Sequence, residues 1–322
     1  MINLFLWMFL FIVGYTVIFF SADLFIDNIK ELCLIYNFSP FILGLIILGV
    51  DLEETIASVV AAINGLPYIA VGNVIGNSII ALTICFALPA FIYEIKFKRV
   101  SQFYFLIINI CMIMILMSFF IYFGLLFFGI IGIGLYFFYV IRSIRLIKKE
   151  GEIDIFTAKD FEQNLDDKEP MNNKYRNMKI FLLVLAFIFI FLGAELLIFS
   201  TKNLIEITGI SEAFFGFVII ALVTNVEEFT IVFKSIKKKT VEIGLGGMIG
   251  KIMWNLSLTF GLSGIILMNI AFDWILIWNW LLLLITLVVF NFITIKKKIT
   301  RKDGLVLLIL FIIFIFVNFF YI

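Results

Sequence analysis

Histidine is absent from all 322 residues. That removes the commonest transition-metal ligand, the usual general base and the usual switch near neutral pH. A zinc site of the His-Glu-x-x-His type is therefore excluded. Cysteine is scarce, with Cys33, Cys85 and Cys111 showing no Cys-x-x-Cys spacing, so the three read as apolar filler in helices. No P-loop and no Gly-x-Ser-x-Gly motif occurs, which leaves no enzyme class with a foothold. Charge is sparse too: 15% of residues are charged and the net charge is +1, so nothing points to nucleic acid.

What remains is apolar. Hydrophobic residues make up 64% of the chain, the mean hydropathy is +1.19, and runs long enough to cross a bilayer recur from end to end. The expected fold class is an all-α polytopic membrane protein. The first run, Leu4 to Phe20, has neither a basic flank before it nor a small-residue cleavage site, so it reads as a membrane helix rather than a signal peptide. Ten spans are expected, near 3–27, 40–63, 67–93, 101–122, 124–146, 178–203, 213–235, 241–268, 272–295 and 304–321. Very short loops lie at 64–66, 123 and 269–271, and charged ones at 94–100, 147–177, 236–240 and 296–303.

Of the 24 basic residues, all but Lys202 and Lys251 fall on one side when these loops are numbered alternately. Lys202 falls on the other side and Lys251 inside a span. The positive-inside rule makes the basic side cytoplasmic and puts both termini outside the cytoplasm, in a cell-membrane protein. The loop 147–177 is rich in acids but lacks the Asp-x-Asp-x-Asp-Gly spacing of a calcium loop, and reads as a cytoplasmic linker.

Two acidic signatures sit inside hydrophobic stretches. One is Gly49-Val50-Asp51-Leu52-Glu53-Glu54, the other Val223-Thr224-Asn225-Val226-Glu227-Glu228. Five carboxylates facing lipid would cost on the order of 12–18 kcal/mol on insertion scales, so they must face one another, water or a cation. The flanking sequence repeats as well. Ser39-Pro40-Phe41-Ile42-Leu43-Gly44 matches Ser211-Glu212-Ala213-Phe214-Phe215-Gly216, and Gly72-Asn73-Val74-Ile75-Gly76-Asn77 matches Gly246-Gly247-Met248-Ile249-Gly250-Lys251. The interval from Glu54 to Gly76 equals that from Glu228 to Gly250, 22 residues in both, whereas Gly44 to Glu54 is 10 residues and Gly216 to Glu228 is 12. Five spans per half is an odd number, so the second half enters from the opposite side. The expected architecture is two inverted five-helix repeats, 1–146 and 178–322, joined by the linker 147–177, with an ion site where they meet.

These motifs resemble those of the sodium/calcium exchanger family of the cation/calcium exchanger superfamily. Each repeat of that family carries Gly-Thr-Ser-x-Pro-Glu and, just over twenty residues later, Gly-Asn-x-Ile-Gly-Ser. The resemblance covers the whole chain in topology, and is strong in sequence across 39–88 and 211–264. It implies a secondary cation antiporter of calcium and sodium, with no cofactor, whose partners are small inorganic cations and the lipid bilayer. The family's ion-binding glutamates map onto Glu54 and Glu228. The motif Thr maps onto Val50 and Thr224, the motif Ser onto Asp51 and Asn225, and the motif Pro onto Glu53 and Glu227. The Ser of the second motif maps onto Asn77 and Lys251, and the amide or acid four residues later onto Ala81 and Asn255. The chain is thus a divergent, prokaryotic-type relative with altered ion-site motifs.

Calcium and sodium both take oxygen ligands, and the candidates are Asp51, Glu54, Asn77, Thr224, Asn225, Glu228 and Asn255, with Asp51, Glu54 and Glu228 as the carboxylate core. Asp51 and Glu54 are spaced i, i+3 and share a helix face, as do Asn225 and Glu228. Glu53 and Glu227 lie about 100° away round the helix and read either as outer carboxylates and proton carriers or as partners of polar groups on neighbouring helices. Loss of both prolines leaves the second and seventh helices expected to be less broken than in relatives. The glycines Gly72, Gly76, Gly246, Gly247 and Gly250 read as packing contacts. Lys251 has several readings: a stand-in for a coupling sodium ion, a neutraliser of an over-acidic site, a proton exchanger, a side chain that snorkels to a water-filled vestibule, or a structural partner of one glutamate. Alternatives to sodium/calcium exchange are a proton-coupled or other-cation exchanger on the same scaffold, or a non-transporting ion sensor with Lys251 filling the site. Glu195 and Asp23, on the helices that slide in this family, read as polar contacts to the core or as ion ligands.

Overall fold

An apolar segment in a bilayer has no water to satisfy its peptide groups, so it closes its hydrogen bonds internally as a helix. The computed structural model describes residues 2–35, 51–97, 100–150, 173–237 and 241–320, and these are mostly helical. In the first half of the chain α1 runs Ile2–Ile35, α2 Leu52–Ile63, α3 Pro67–Leu82, α4 Ile84–Ile92, α5 Gln102–Ser118 and α6 Gly124–Glu150. In the second half α7 runs Asn173–Thr208 and the short α8 Glu212–Phe214, followed by a π-helical turn, π1, at Phe215–Ile220. Helices α9 (Ala221–Thr224), α10 (Val226–Lys237) and α11 (Val241–Met253) follow. A second π-helical turn, π2 at Trp254–Thr259, leads into α12 (Phe260–Leu267), α13 (Trp274–Lys296) and α14 (Arg301–Phe319).

Seven helical stretches among the described residues are long and apolar enough to cross a membrane: Asn3–Phe25, Pro67–Ile92, Gly124–Arg142, Tyr175–Thr208, Gly244–Leu267, Trp274–Lys296 and Arg301–Phe319. Each overlaps one of the expected spans. An eighth, at 213–235, is a pair bent by 43°, Glu212–Thr224 with Glu228–Lys237. The span expected at 101–122 is the shorter apolar helix α5. The one expected at 40–63 is seen only as α2, because 36–50 lie outside the described residues, as do the repeat segment 39–44 and most of the expected linker, 151–172.

The second and seventh helices are interrupted at the motifs even without proline. Asp51 is non-helical (φ −105°, ψ 82°) and α2 begins only after it. Asn225 interrupts the seventh span (φ −84°, ψ 3°) between α9 and α10. The reason is that Asp and Asn compete with the helix for its own backbone groups. The Asp51 carboxylate accepts the Glu54 N–H at 3.2 Å as an N-cap, and the Asn225 amide donates to the Ala221 carbonyl at 2.7 Å.

Two apolar clusters organise the packing. The larger joins α3, α4 and α5 to α11, π2, α13 and α14. The smaller joins α1 and α7 to α2, with π1 and the start of α3 between the two. Helices α1 and α7 lie along each other and touch through glycine: a Cβ on Gly14 would come 2.7 Å from the Leu197 nitrogen. Helix α3 meets π1 just as closely, since a Cβ on Gly76 would run into the Phe217 carbonyl and one on Gly216 into the Tyr68 carbonyl. The outer surface carries exposed Phe5, Phe9, Phe20 and Phe181, an apolar coat that suits lipid and not water. A two-residue ribbon, Ile95–Lys96 paired antiparallel with Lys298–Ile299, fastens the charged loops 94–100 and 296–303 at the same end of the molecule.

Candidate functional site

The first half contributes through the start of α2 and the middle of α3. Asp51 caps α2, and Glu54 follows one turn later on the same face, 1% exposed. The Thr55 hydroxyl donates back to the Asp51 carbonyl at 2.6 Å. Asn73, on α3, donates to the Glu54 carbonyl at 3.3 Å and to the Ser58 hydroxyl at 2.9 Å, which fixes α3 against α2. Asn77 lies one turn further along α3, fully buried.

The second half contributes through the break at Asn225 and the junction of α11 with π2. The Asn77 amide donates to the Thr224 hydroxyl at 3.1 Å, and the Asn225 amide reaches the Asn77 carbonyl at 3.4 Å. Glu228 follows Asn225 by one turn of α10. Lys251 ends α11, and Asn255 lies one turn on, in π2. Such π-helical turns recur at functional sites because they re-aim a side chain within a helix. The Asn255 amide donates to the second carboxylate oxygen of Glu54 at 2.5 Å and to the Asn77 side-chain oxygen at 3.4 Å.

These elements converge on one nitrogen. The Lys251 ammonium lies 2.9 Å from Asp51 Oδ2 and 2.7 Å from Glu54 Oε1, and is ion-paired with Glu228 Oε1. One ammonium is thus ion-paired with three carboxylates at once. Asp51, Glu54 and Glu228 each offer one oxygen, and the three oxygens lie within 4.8 Å of one another. Lysine is 6% exposed here. Charges removed from water this fully are tolerated only when paired and hydrogen-bonded, and removing one partner of such a group typically costs about 3–5 kcal/mol. Three carboxylates against one ammonium leave an excess of negative charge. Glu228 Oε2 and the side-chain oxygens of Asn225 and Asn73 are buried without a donor among the described residues. Hard oxygens in negative surplus form the donor set of an alkali or alkaline-earth cation.

The structure thus gathers Asp51, Glu54, Asn77, Glu228, Lys251 and Asn255 into direct contact, and ties Thr224 and Asn225 to them through Asn77. Glu53 is buried at the next position of α2 and stands outside the carboxylate cluster. The side chain of Glu227 lies outside the described residues. Glu195 accepts from the Asn64 amide at 3.4 Å, a polar contact at the end of α2.

Sequence reasoning missed a hydroxyl belt around the site. The Thr259 hydroxyl lies 2.7 Å from the Thr55 hydroxyl and 3.3 Å from the Asn255 side-chain oxygen, with one proton to give to either, and the Trp254 indole donates to Thr55 at 2.7 Å. Its one signal was position: Thr55 follows Glu54 directly, and Thr259 is one turn beyond Asn255. Also missed was Glu212, whose carboxylate accepts the N–H groups of Tyr68 and Ile69 at 2.7 and 3.2 Å and so caps α3 from the other half of the chain.

Comparison with known proteins bears on the same regions. A family model described as sodium/calcium exchanger protein matches residues 6–145 and 178–320. An uncharacterised membrane protein of Methanocaldococcus jannaschii is 26% identical over 243 residues, which are 74% of this chain and 75% of that one. The sodium/calcium exchanger MaX1 of Methanosarcina acetivorans is 28% identical over 142 residues, 44% of this chain and 41% of that one. Among solved structures, the sodium-calcium exchanger NCX_Mj soaked with 10 mM Na+ and zero Ca2+ matches with a TM-score of 0.57 and 20% identity, over 96% of this chain and 98% of that one. The same exchanger soaked with 2.5 mM Na+ and 0.1 mM Ca2+ matches with a TM-score of 0.58. At that identity the likeness is one of fold.

Proposed function

The chain belongs to the sodium/calcium exchanger protein family, and from that membership we propose that it is a secondary active cation antiporter, exchanging calcium against sodium by alternating access across the cell membrane. The architecture that goes with this reading is ten transmembrane helices in two inverted five-helix repeats, 1–146 and 178–322, joined by a cytoplasmic linker at 147–177, with both termini outside the cytoplasm. The ion-binding residues are Asp51, Glu54, Asn77, Thr224, Asn225, Glu228 and Asn255, and no cofactor takes part.

One observation carries the reading. Carboxylates from the two halves of the chain, Asp51 and Glu54 from one and Glu228 from the other, meet in the buried centre of a bundle of membrane-length helices. A site shared by two halves opens to alternate sides when the halves move against each other, which is the physical requirement of antiport. The clustering of nearly all basic residues in one set of loops supports the orientation. Oxygen-only ligation supports calcium and sodium over softer metals. Purified protein in proteoliposomes loaded with sodium tests the reading: radioactive calcium accumulates when sodium runs outward, and does not when the gradient is absent.

A second reading has its own observation. The Lys251 ammonium already sits on all three carboxylates, which favours a non-transporting ion sensor on this scaffold. Calcium that raises the unfolding temperature of the protein without any flux in proteoliposomes would single that reading out. Flux driven by a pH gradient and indifferent to sodium would instead identify a proton-coupled exchanger.

A further inference from the structure

The ammonium of Lys251 stands where a transported cation needs to be. A divalent ion held by Asp51 Oδ2, Glu54 Oε1 and Glu228 Oε1 takes its ligands at about 2.3–2.6 Å. The lysine nitrogen already occupies the space among those oxygens, at 2.7 Å from Glu54 and 2.9 Å from Asp51. The two cations exclude each other.

An exchanger couples two ions because its unloaded site cannot cross: bare carboxylates in a low-dielectric centre must be neutralised before the halves can move. In this chain part of that neutralisation is covalently attached. With the three carboxylates ionised, the unloaded site carries a formal charge of minus three without the lysine and minus two with it. An ammonium needed only as a structural partner has no requirement to draw its counter-charges from both halves of the chain. This one is ion-paired with Asp51 and Glu54 from one half of the chain and with Glu228 from the other. Meanwhile the buried side-chain oxygen of Asn225 and Glu228 Oε2 are left without donors among the described residues.

We propose that Lys251 is a tethered counter-cation that replaces one coupling ion: it holds Asp51, Glu54 and Glu228 while the site returns unloaded, and withdraws when the divalent cargo binds. This rests on the antiporter reading. Its consequence is an exchanger that needs one coupling cation fewer per cargo ion than the same site would need without the lysine.

The test is the coupling ratio, read as the sodium gradient and voltage at which net calcium flux in proteoliposomes reverses. Wild type, Lys251→Ser and Lys251→Arg are compared, with Glu54→Gln/Glu228→Gln as the control for the site itself. The expected result is a ratio higher by one sodium per calcium in Lys251→Ser, with Lys251→Arg at the wild-type ratio. Equal ratios in wild type and Lys251→Ser overturn the proposal and leave the antiporter standing. No flux that depends on Glu54 and Glu228 in any variant defeats the antiporter reading itself. If Lys251→Ser does not fold, labelling of wild type decides: saturating calcium raises modification of Lys251 by an amine-reactive reagent severalfold over calcium-free protein, and unchanged modification overturns the mutual exclusion.

Discussion

Lys251 Nζ and Glu54 Oε1 lie 2.7 Å apart, one contributed by each half of the chain, and both side chains are almost wholly removed from solvent. A pair this buried is weak evidence for net stability, but breaking it from one side is costly. Lys251→Met, which removes the charge and keeps the bulk, is expected to destabilise the protein by about 3–5 kcal/mol, because it leaves three carboxylates facing one another. Saturating calcium is expected to recover part of that loss, by supplying the missing positive charge. Unfolding in detergent with and without calcium checks both parts.

The approach of α3 to π1 leaves no room for a side chain. Gly76→Ala is expected to cost about 1–3 kcal/mol through overpacking against the Phe217 carbonyl. Gly134, beside which a Cβ would meet nothing within 4 Å, gives the contrast: alanine there is expected to leave the unfolding temperature unchanged or slightly raised.

Glu212 caps a helix that its own half does not contain. Replacing it with alanine removes the acceptor for two N–H groups at the start of α3 and is expected to cost about 0.5–2 kcal/mol. Glu212→Gln keeps an acceptor oxygen and is expected to cost less. Amide exchange at Tyr68 and Ile69 would rise in the alanine variant and report the cap directly.

Asn279 and Asn318 bond each other reciprocally at 3.0 and 2.8 Å, joining α13 to α14. Interhelical bonds of this kind average about 0.6 kcal/mol and reach about 1.7 in double-mutant cycles. Because both amides are satisfied by the same pair, a cycle built from Asn279→Leu and Asn318→Leu is expected to give about 1 kcal/mol of coupling. Additive single variants would contradict that.

The site was legible because membrane burial makes each ionisable residue conspicuous. Asp51, Glu54, Glu228 and Lys251 stand out against an apolar background, and their matched spacing in the two halves indicates where they meet. The interruptions were hard to place because proline is the familiar breaker, whereas here the side chains of Asp51 and Asn225 bind the backbone in its place. The π-helical turns left no pattern of their own. The interval from Gly216 to Glu228, two residues longer than its counterpart, spans most of π1 and the Asn225 break, whereas π2 has no such trace. The Thr55–Thr259 contact was hidden because a hydroxyl on a membrane helix can always bond its own preceding turn, so sequence alone does not show it turning to a neighbour.

Antiport through the three-carboxylate centre is tested most directly by sodium-driven calcium uptake into proteoliposomes, measured side by side for wild type and the Glu54→Gln/Glu228→Gln double variant. The account predicts uptake in wild type that follows the sodium gradient and is abolished in the double variant. Absence of uptake in folded wild type, or equal uptake in both, would contradict it.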